Sequence, residues 1–144
     1  MQIERRKFLE SACKVCLFTG AGLLISNLTS CGPSVKIINL PVTQDTIRVP
    51  LTSFATEPMQ IVRPEGWFYN IAVRKSSSDL YEAMLMECSH QQTQLIAVSK
   101  GFECPLHGSR FNLNGQVTKG PAERPLKQYT TSIEQDQLVI QLKS

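Results

Sequence analysis

Four side chains able to hold a metal stand in two short runs: Cys88-Ser89-His90 and, thirteen residues further on, Cys104-Pro105-Leu106-His107-Gly108-Ser109. Each run pairs a thiol with an imidazole. Soft thiolates suit iron–sulfur clusters and zinc, and imidazole suits zinc, iron and copper, so donor type alone leaves the metal open. Both histidines of the chain lie in these runs, and beyond Cys31 the chain has no other cysteine. A structural zinc site would accept the same four donors, but its usual spacing is C-x-x-C followed by two histidines. Here each cysteine leads straight to a histidine.

Stepping outward from these runs, each follows a stretch fit to be a strand. After residue 35 the chain offers short segments rich in β-branched and aromatic residues, bounded by Gly, Pro, Asn, Asp or Ser. The pattern predicts nine strands, at 35–42, 46–54, 60–63, 67–75, 81–87, 94–99, 110–113, 126–134 and 137–142. Many short strands of this kind form an antiparallel β-sandwich or barrel, an all-β fold. Residues 74–79 read as a hairpin connection, and Asn114-Gly115 as a tight turn. Helical periodicity is not sustained over ten residues after the N-terminal segment, and a Gly-rich phosphate loop is missing, which argues against an α/β nucleotide-binding fold. Trp67, Tyr69, Tyr81 and Tyr129 fall in strand-like segments and read as packing residues.

The two runs together, with Gly-Ser after the second histidine, resemble the Rieske family, in which two loops at strand ends clamp a [2Fe-2S] cluster. The resemblance is strongest over residues 84–122, which it makes a small cluster-binding subdomain. It implies one cluster per chain, with Cys88 and Cys104 on one iron and His90 and His107 on the other. It further implies that Gly108 lets the backbone approach the cluster, that Pro105 stiffens the second loop, and that Gly120-Pro121-Ala122 is a third, covering loop. High-potential members carry an extra cysteine in each loop, joined as a disulfide, together with a serine hydroxyl to a bridging sulfide and a tyrosine hydroxyl to a ligating sulfur. At those positions this chain has Thr93, Leu106, Ser109 and Phe111. One of the two hydroxyl donors is kept. Hydrogen bonds to sulfur favour the reduced cluster, so the expected potential is intermediate within the Rieske span of roughly −150 to +300 mV. The family's histidines lie near the surface, so reduction there can be accompanied by proton uptake.

The N-terminus reads as an address. Basic residues Arg5, Arg6 and Lys7 precede an apolar run at 15–25. At eleven residues the run fits the central region of a signal peptide and falls short of the ~20 that span a bilayer. Arg5-Arg6-x-Phe8-Leu9 resembles the twin-arginine signal, although Glu4 and Glu10 depart from its flanks. Leu28-Thr29-Ser30-Cys31-Gly32 resembles a bacterial lipobox, which makes residues 1–30 the signal and Cys31 the lipidated first residue of a mature domain at 31–144. An ordinary cysteine at 31, or an uncleaved anchor, are the alternatives. Cys13 and Cys16 lie inside this signal and are assigned no chemistry.

The chain's net charge of +3 resides largely in this N-terminal segment. The near-neutral body lacks the clustered basic face that nucleic acid requires. No nucleophile–base pair or paired carboxylates appear, so independent catalysis is not expected. The expected role is electron transfer on the periplasmic side of a bacterial envelope. The domain would act as a membrane-tethered carrier or as the small subunit of an exported oxidoreductase, with a bc-type quinol-oxidising complex or a molybdenum oxidase as host. The alternative is a non-redox surface lipoprotein with a structural Cys₂His₂ zinc site.

Overall fold

The computed structural model describes residues 36–143. Residues 1–30, expected to be an export signal, with Cys13, Cys16 and Cys31, the expected lipidation site, lie outside the described residues. Eleven strands form two sheets. The larger contains β1 (Ile37–Leu40), β2 (Thr46–Pro50), β3 (Met59–Pro64), β4 (Ile71–Lys75), β5 (Tyr81–Leu85), β10 (Gln128–Glu134) and β11 (Gln137–Gln141), in the order β1-β3-β4-β5-β10-β11-β2. The smaller contains β6 (Ile96–Val98), β7 (Gly101–Glu103), β8 (Arg110–Asn112) and β9 (Val117–Lys119), paired in sequence order. Among the described residues no helix is long and apolar enough to cross a membrane.

Alternation explains the outer strands. In β2, Ile47 and Val49 point into the core while Thr46 and Arg48 point away, as the two-residue period of a strand dictates. The central strands carry consecutive apolar residues because both of their faces are covered. Ile71, Val73, Ala83 and Leu85 pack into a main core with Ile47, Val49, Leu138 and Ile140. Ala72, Met84 and Met86 face the other way, into a second core with Leu95, Phe102, Phe111, Leu126 and the two cysteines. That second core seats the small sheet on the large one. Phe102 and Phe111 sit directly opposite each other on β7 and β8, both buried, and form its floor. Each contributes about 1.5–3 kcal/mol by leaving water.

The fold is the expected all-β one, and it departs from the sequence reading in four places. β1 pairs with β3 in parallel, so the sheet is not wholly antiparallel. Residues 51–54 form a 3-10 turn rather than extending β2. Residues 67–70 are a connection, not the start of β4. The three-residue strands β7 and β9 were not anticipated. The hairpins did form as expected: Ser76 N–H donates to the Leu80 carbonyl between β4 and β5, and Gly115 N–H donates to the Asn112 carbonyl between β8 and β9.

Candidate metal centre

Both Cys/His runs fold into hairpin tips at the same end of the second core. The first lies between β5 and β6, where Cys88 N–H donates to the Thr93 carbonyl and Leu95 N–H to the Met86 carbonyl, each at 2.9 Å. The second joins β7 to β8, where Cys104 N–H donates to the Ser109 carbonyl and Gly108 N–H to the Cys104 carbonyl, also at 2.9 Å. Gly108 has φ +71, and a Cβ there would meet nothing closer than Lys119 Nζ at 4.0 Å, so among the described residues backbone conformation explains this glycine.

The matching tips arrange the four side chains in two layers. Cys88 and Cys104 lie inside, each 1% exposed, and both are free thiols. His90 and His107 lie outside and exposed, with ring centroids 5.0 Å apart and planes inclined at 74°. Burial pushes the Cys104 thiol up, but hydrogen bonds from the His107 and Leu106 backbone, with the Cys88 thiol and the Thr93 side chain, outweigh it and leave the pKa lowered. The pocket therefore favours the thiolate, the form that ligates metal.

A third loop closes over the pair. The Gly120–Pro121 peptide is cis, and Ala122 is buried against the second core. One serine from each tip fastens this loop: Ala122 N–H donates to Ser109 Oγ at 3.1 Å, and Ser89 Oγ donates to the Arg124 carbonyl at 2.6 Å. The Ala122 bond uses a lone pair of Ser109 Oγ and leaves the hydroxyl proton free to donate. Beside His90 opens a groove of about 850 Å³ whose walls carry Glu87, Arg124 and Lys127, charges of both signs.

A family model described as the Rieske [2Fe-2S] domain matches residues 54–130, more than half of the chain. The chain belongs to the Rieske [2Fe-2S] family. It is 44% identical over 43 residues to cytochrome b6-f complex iron-sulfur subunit 2 of Nostoc sp. (strain PCC 7120), a match covering 30% of this chain and 24% of that protein. The chain thus spans about a quarter of the curated relative it matches. Among solved structures it superposes on a plasma membrane Rieske protein from the cyanobacterium Synechocystis PCC 6803, with TM-score 0.53 and 23% identity over 63% of this chain and 93% of the other. It also superposes on a chain from the complex of reduced oxygenase and oxidized ferredoxin in carbazole 1,9a-dioxygenase, with TM-score 0.53 and 20% identity over 71% and 97%. At these identities the two structures show a shared fold.

The family's cofactor is one [2Fe-2S] cluster, and the residues present fit it. Two thiols are buried and one is held toward thiolate; two imidazoles stand outside them; a buried serine has a proton to give. Among the described residues no three His, Cys, Asp or Glu side chains converge on a single metal ion.

Sequence reasoning overlooked several residues around this centre. Thr93, noted only as a missing disulfide position, helps to lower the Cys104 pKa through its side chain. Ser89 fastens the third loop. Tyr69, taken for a packing residue, donates its hydroxyl to the Gln92 carbonyl at 2.7 Å. Burial, then the Glu87 carboxylate, raise the Tyr69 phenol above its ordinary value.

Proposed function

We propose that the chain carries single electrons through a [2Fe-2S] cluster bound by Cys88 and Cys104 on one iron and by His90 and His107 on the other. The observation that carries this reading is the layered site, with two buried thiols beneath two exposed imidazoles 5.0 Å apart. The cluster supplies a one-electron couple when bound. The cysteines fix it against the second core, and the exposed imidazoles form the short route between it and a partner surface. The third loop, with the Phe102–Phe111 floor, keeps water from the sulfur side.

Iron and acid-labile sulfide analysis of the purified protein tests the reading. Two of each per chain support it, whereas one zinc and no sulfide would return the structural-zinc alternative. Ser109, whose hydroxyl proton is free, would donate to a sulfide of the bound cluster. Ser109→Ala is expected to lower the midpoint potential, because a hydrogen bond to sulfur favours the more negative, reduced cluster. A loss of about 1 kcal/mol corresponds to about 40 mV for one electron. The same substitution leaves the Ala122 N–H without a partner in the core, costing about 1–3 kcal/mol in thermal unfolding.

The host is a membrane redox complex or a tethered carrier. The cytochrome b6-f subunits among its relatives favour a quinol-oxidising complex, while Thr93 and Leu106, in place of paired cysteines, set it apart from high-potential members. Residues 1–30 direct export, and a lipid on Cys31 holds the domain, read as 31–144, at the periplasmic face of the membrane; the sequence motifs support this part. Mass spectrometry of the membrane-bound protein is expected to find Cys31 as its first residue, carrying a lipid. A protein that retains residues 1–30, or has an unmodified Cys31, would instead support an uncleaved anchor or an ordinary cysteine.

A further inference from the structure

The first ligand loop has no covalent tie to the second, since Thr93 and Leu106 stand where a disulfide would join them and Leu106 is 55% exposed. Its attachment comes from another quarter. The connection between β3 and β4 ends in Tyr69 and Asn70, and both engage the loop. Tyr69 Oη donates to the Gln92 carbonyl at 2.7 Å. The Asn70 backbone does more: its N–H donates to Gln94 Oε1 at 2.9 Å, and its carbonyl accepts from Met86 N–H at 2.8 Å. Gln94 turns its other polar atom back on its own strand, donating from Nε2 to the Leu95 carbonyl at 2.8 Å. Asn70 is in turn fixed from β3, where Arg63 Nε donates to its Oδ1 at 2.7 Å. Arg63, Asn70, Gln94 and Leu95 thus form one chain of hydrogen bonds from the large sheet to the base of the loop that bears Cys88 and His90. Asn70 is buried, so a lost partner there is not replaced by bulk water.

We propose that the β3–β4 connection is the brace of the first ligand loop and that Gln94 is its positioning residue, holding Cys88 and His90 in place without touching the cluster. The proposal rests on the ligand assignment above. It gives a reason why the strand stops short of Asn70: the Asn70 N–H and carbonyl are spent on Gln94 and Met86 rather than on the sheet. Tyr69 acts through the loop backbone at Gln92, and Asn70 through Met86 N–H and the Gln94 side chain. Loss of either leaves the four donors in the chain but loosens the geometry between them.

The test uses the full-length protein and three substitutions. Gln94→Met keeps the volume and removes both hydrogen bonds. Tyr69→Phe deletes one oxygen from a partly exposed residue. Gln60→Met is the control: Gln60 is more deeply buried than the half-buried Gln94 and its amide is likewise bonded, but to the Ser53 and Glu57 carbonyls at the main core. Gln94→Met is expected to speed chelator-driven bleaching of the cluster about tenfold and to broaden the electron paramagnetic resonance signal of the reduced protein. Tyr69→Phe acts in the same direction and more weakly. Gln60→Met lowers the melting temperature and leaves the signal unchanged. In the iron-free protein, amide exchange at Asn70 and Met86 should quicken in Gln94→Met and not in Gln60→Met. Wild-type bleaching and line shape in both Gln94→Met and Tyr69→Phe would overturn the brace, as would equal changes in the Gln60→Met control. Should Gln94→Met fail to fold, Tyr69→Phe alone decides. A wild-type protein without iron would overturn the ligand assignment itself, and the amide exchange arm would still judge the brace.

Discussion

Cys104→Ala should yield a colourless protein with no iron and no labile sulfide, a complete loss rather than a weakened signal. Cys104 sits at the junction of everything the centre needs. Its backbone N–H and carbonyl close the second tip, and the His107 and Leu106 backbone, the Cys88 thiol and the Thr93 side chain together lower its pKa. Alanine keeps the backbone bonds and removes the sulfur on which both tips converge. Because metal binding is coupled to folding, the small sheet should also become the least stable part of the molecule, and amide protection in β7 and β8 should fall well below that in β4 and β11. Iron measured against protein, with amide exchange, checks both halves. Two irons retained by this variant would remove Cys104 from the ligand set.

The second large effect lies outside the ligand loops. Gly101, at the start of β7, has φ +147, and a Cβ added there would stand 1.9 Å from the Phe111 carbonyl oxygen and 2.9 Å from Asn112 backbone atoms. The obstacle is the backbone of the paired strand, which cannot move without breaking the Gly101↔Asn112 register. Gly101→Ala is therefore expected to cost more than about 4 kcal/mol, the range reserved for strained backbone and core disruption, and to strip the cluster as β7 parts from β8. Denaturant unfolding with simultaneous absorbance reading checks this. A variant that keeps wild-type stability and colour would mean that the β7–β8 pairing does not support the second loop.

Much of this centre could be read from the chain because its chemistry is local. Each tip carries its cysteine, its histidine and its closing residues within a few positions, so the motif and the family resemblance it carries gave the expected ligand set. The strands with alternating or doubly apolar residues were legible for the same reason. What was missed depends on partners remote in sequence. Strands β7 and β9 are three residues long and show no period; they exist because β8 lies between them. The parallel pairing of β1 with β3 leaves no mark on periodicity, which reports which face a residue takes and not strand direction. Residues 67–70 look like strand by propensity, yet Asn70 directs its backbone to Gln94 and Met86, a tertiary demand no local pattern encodes. Ser89 was ordinary as a residue, and Ser109 was expected only as a donor to a bridging sulfide. Only the folded arrangement shows that one holds the third loop to each tip.

The central claim is the mixed ligand set, two thiolates on one iron and two imidazoles on the other. Its most direct test is the low-temperature electron paramagnetic resonance spectrum of the dithionite-reduced full-length protein, with nitrogen couplings resolved by a pulsed method. The account predicts a rhombic signal whose mean g lies below that of all-cysteine [2Fe-2S] clusters, coupled to two imidazole nitrogens from His90 and His107. A silent sample containing one zinc per chain, or an iron–sulfur signal with no nitrogen coupling, would contradict it.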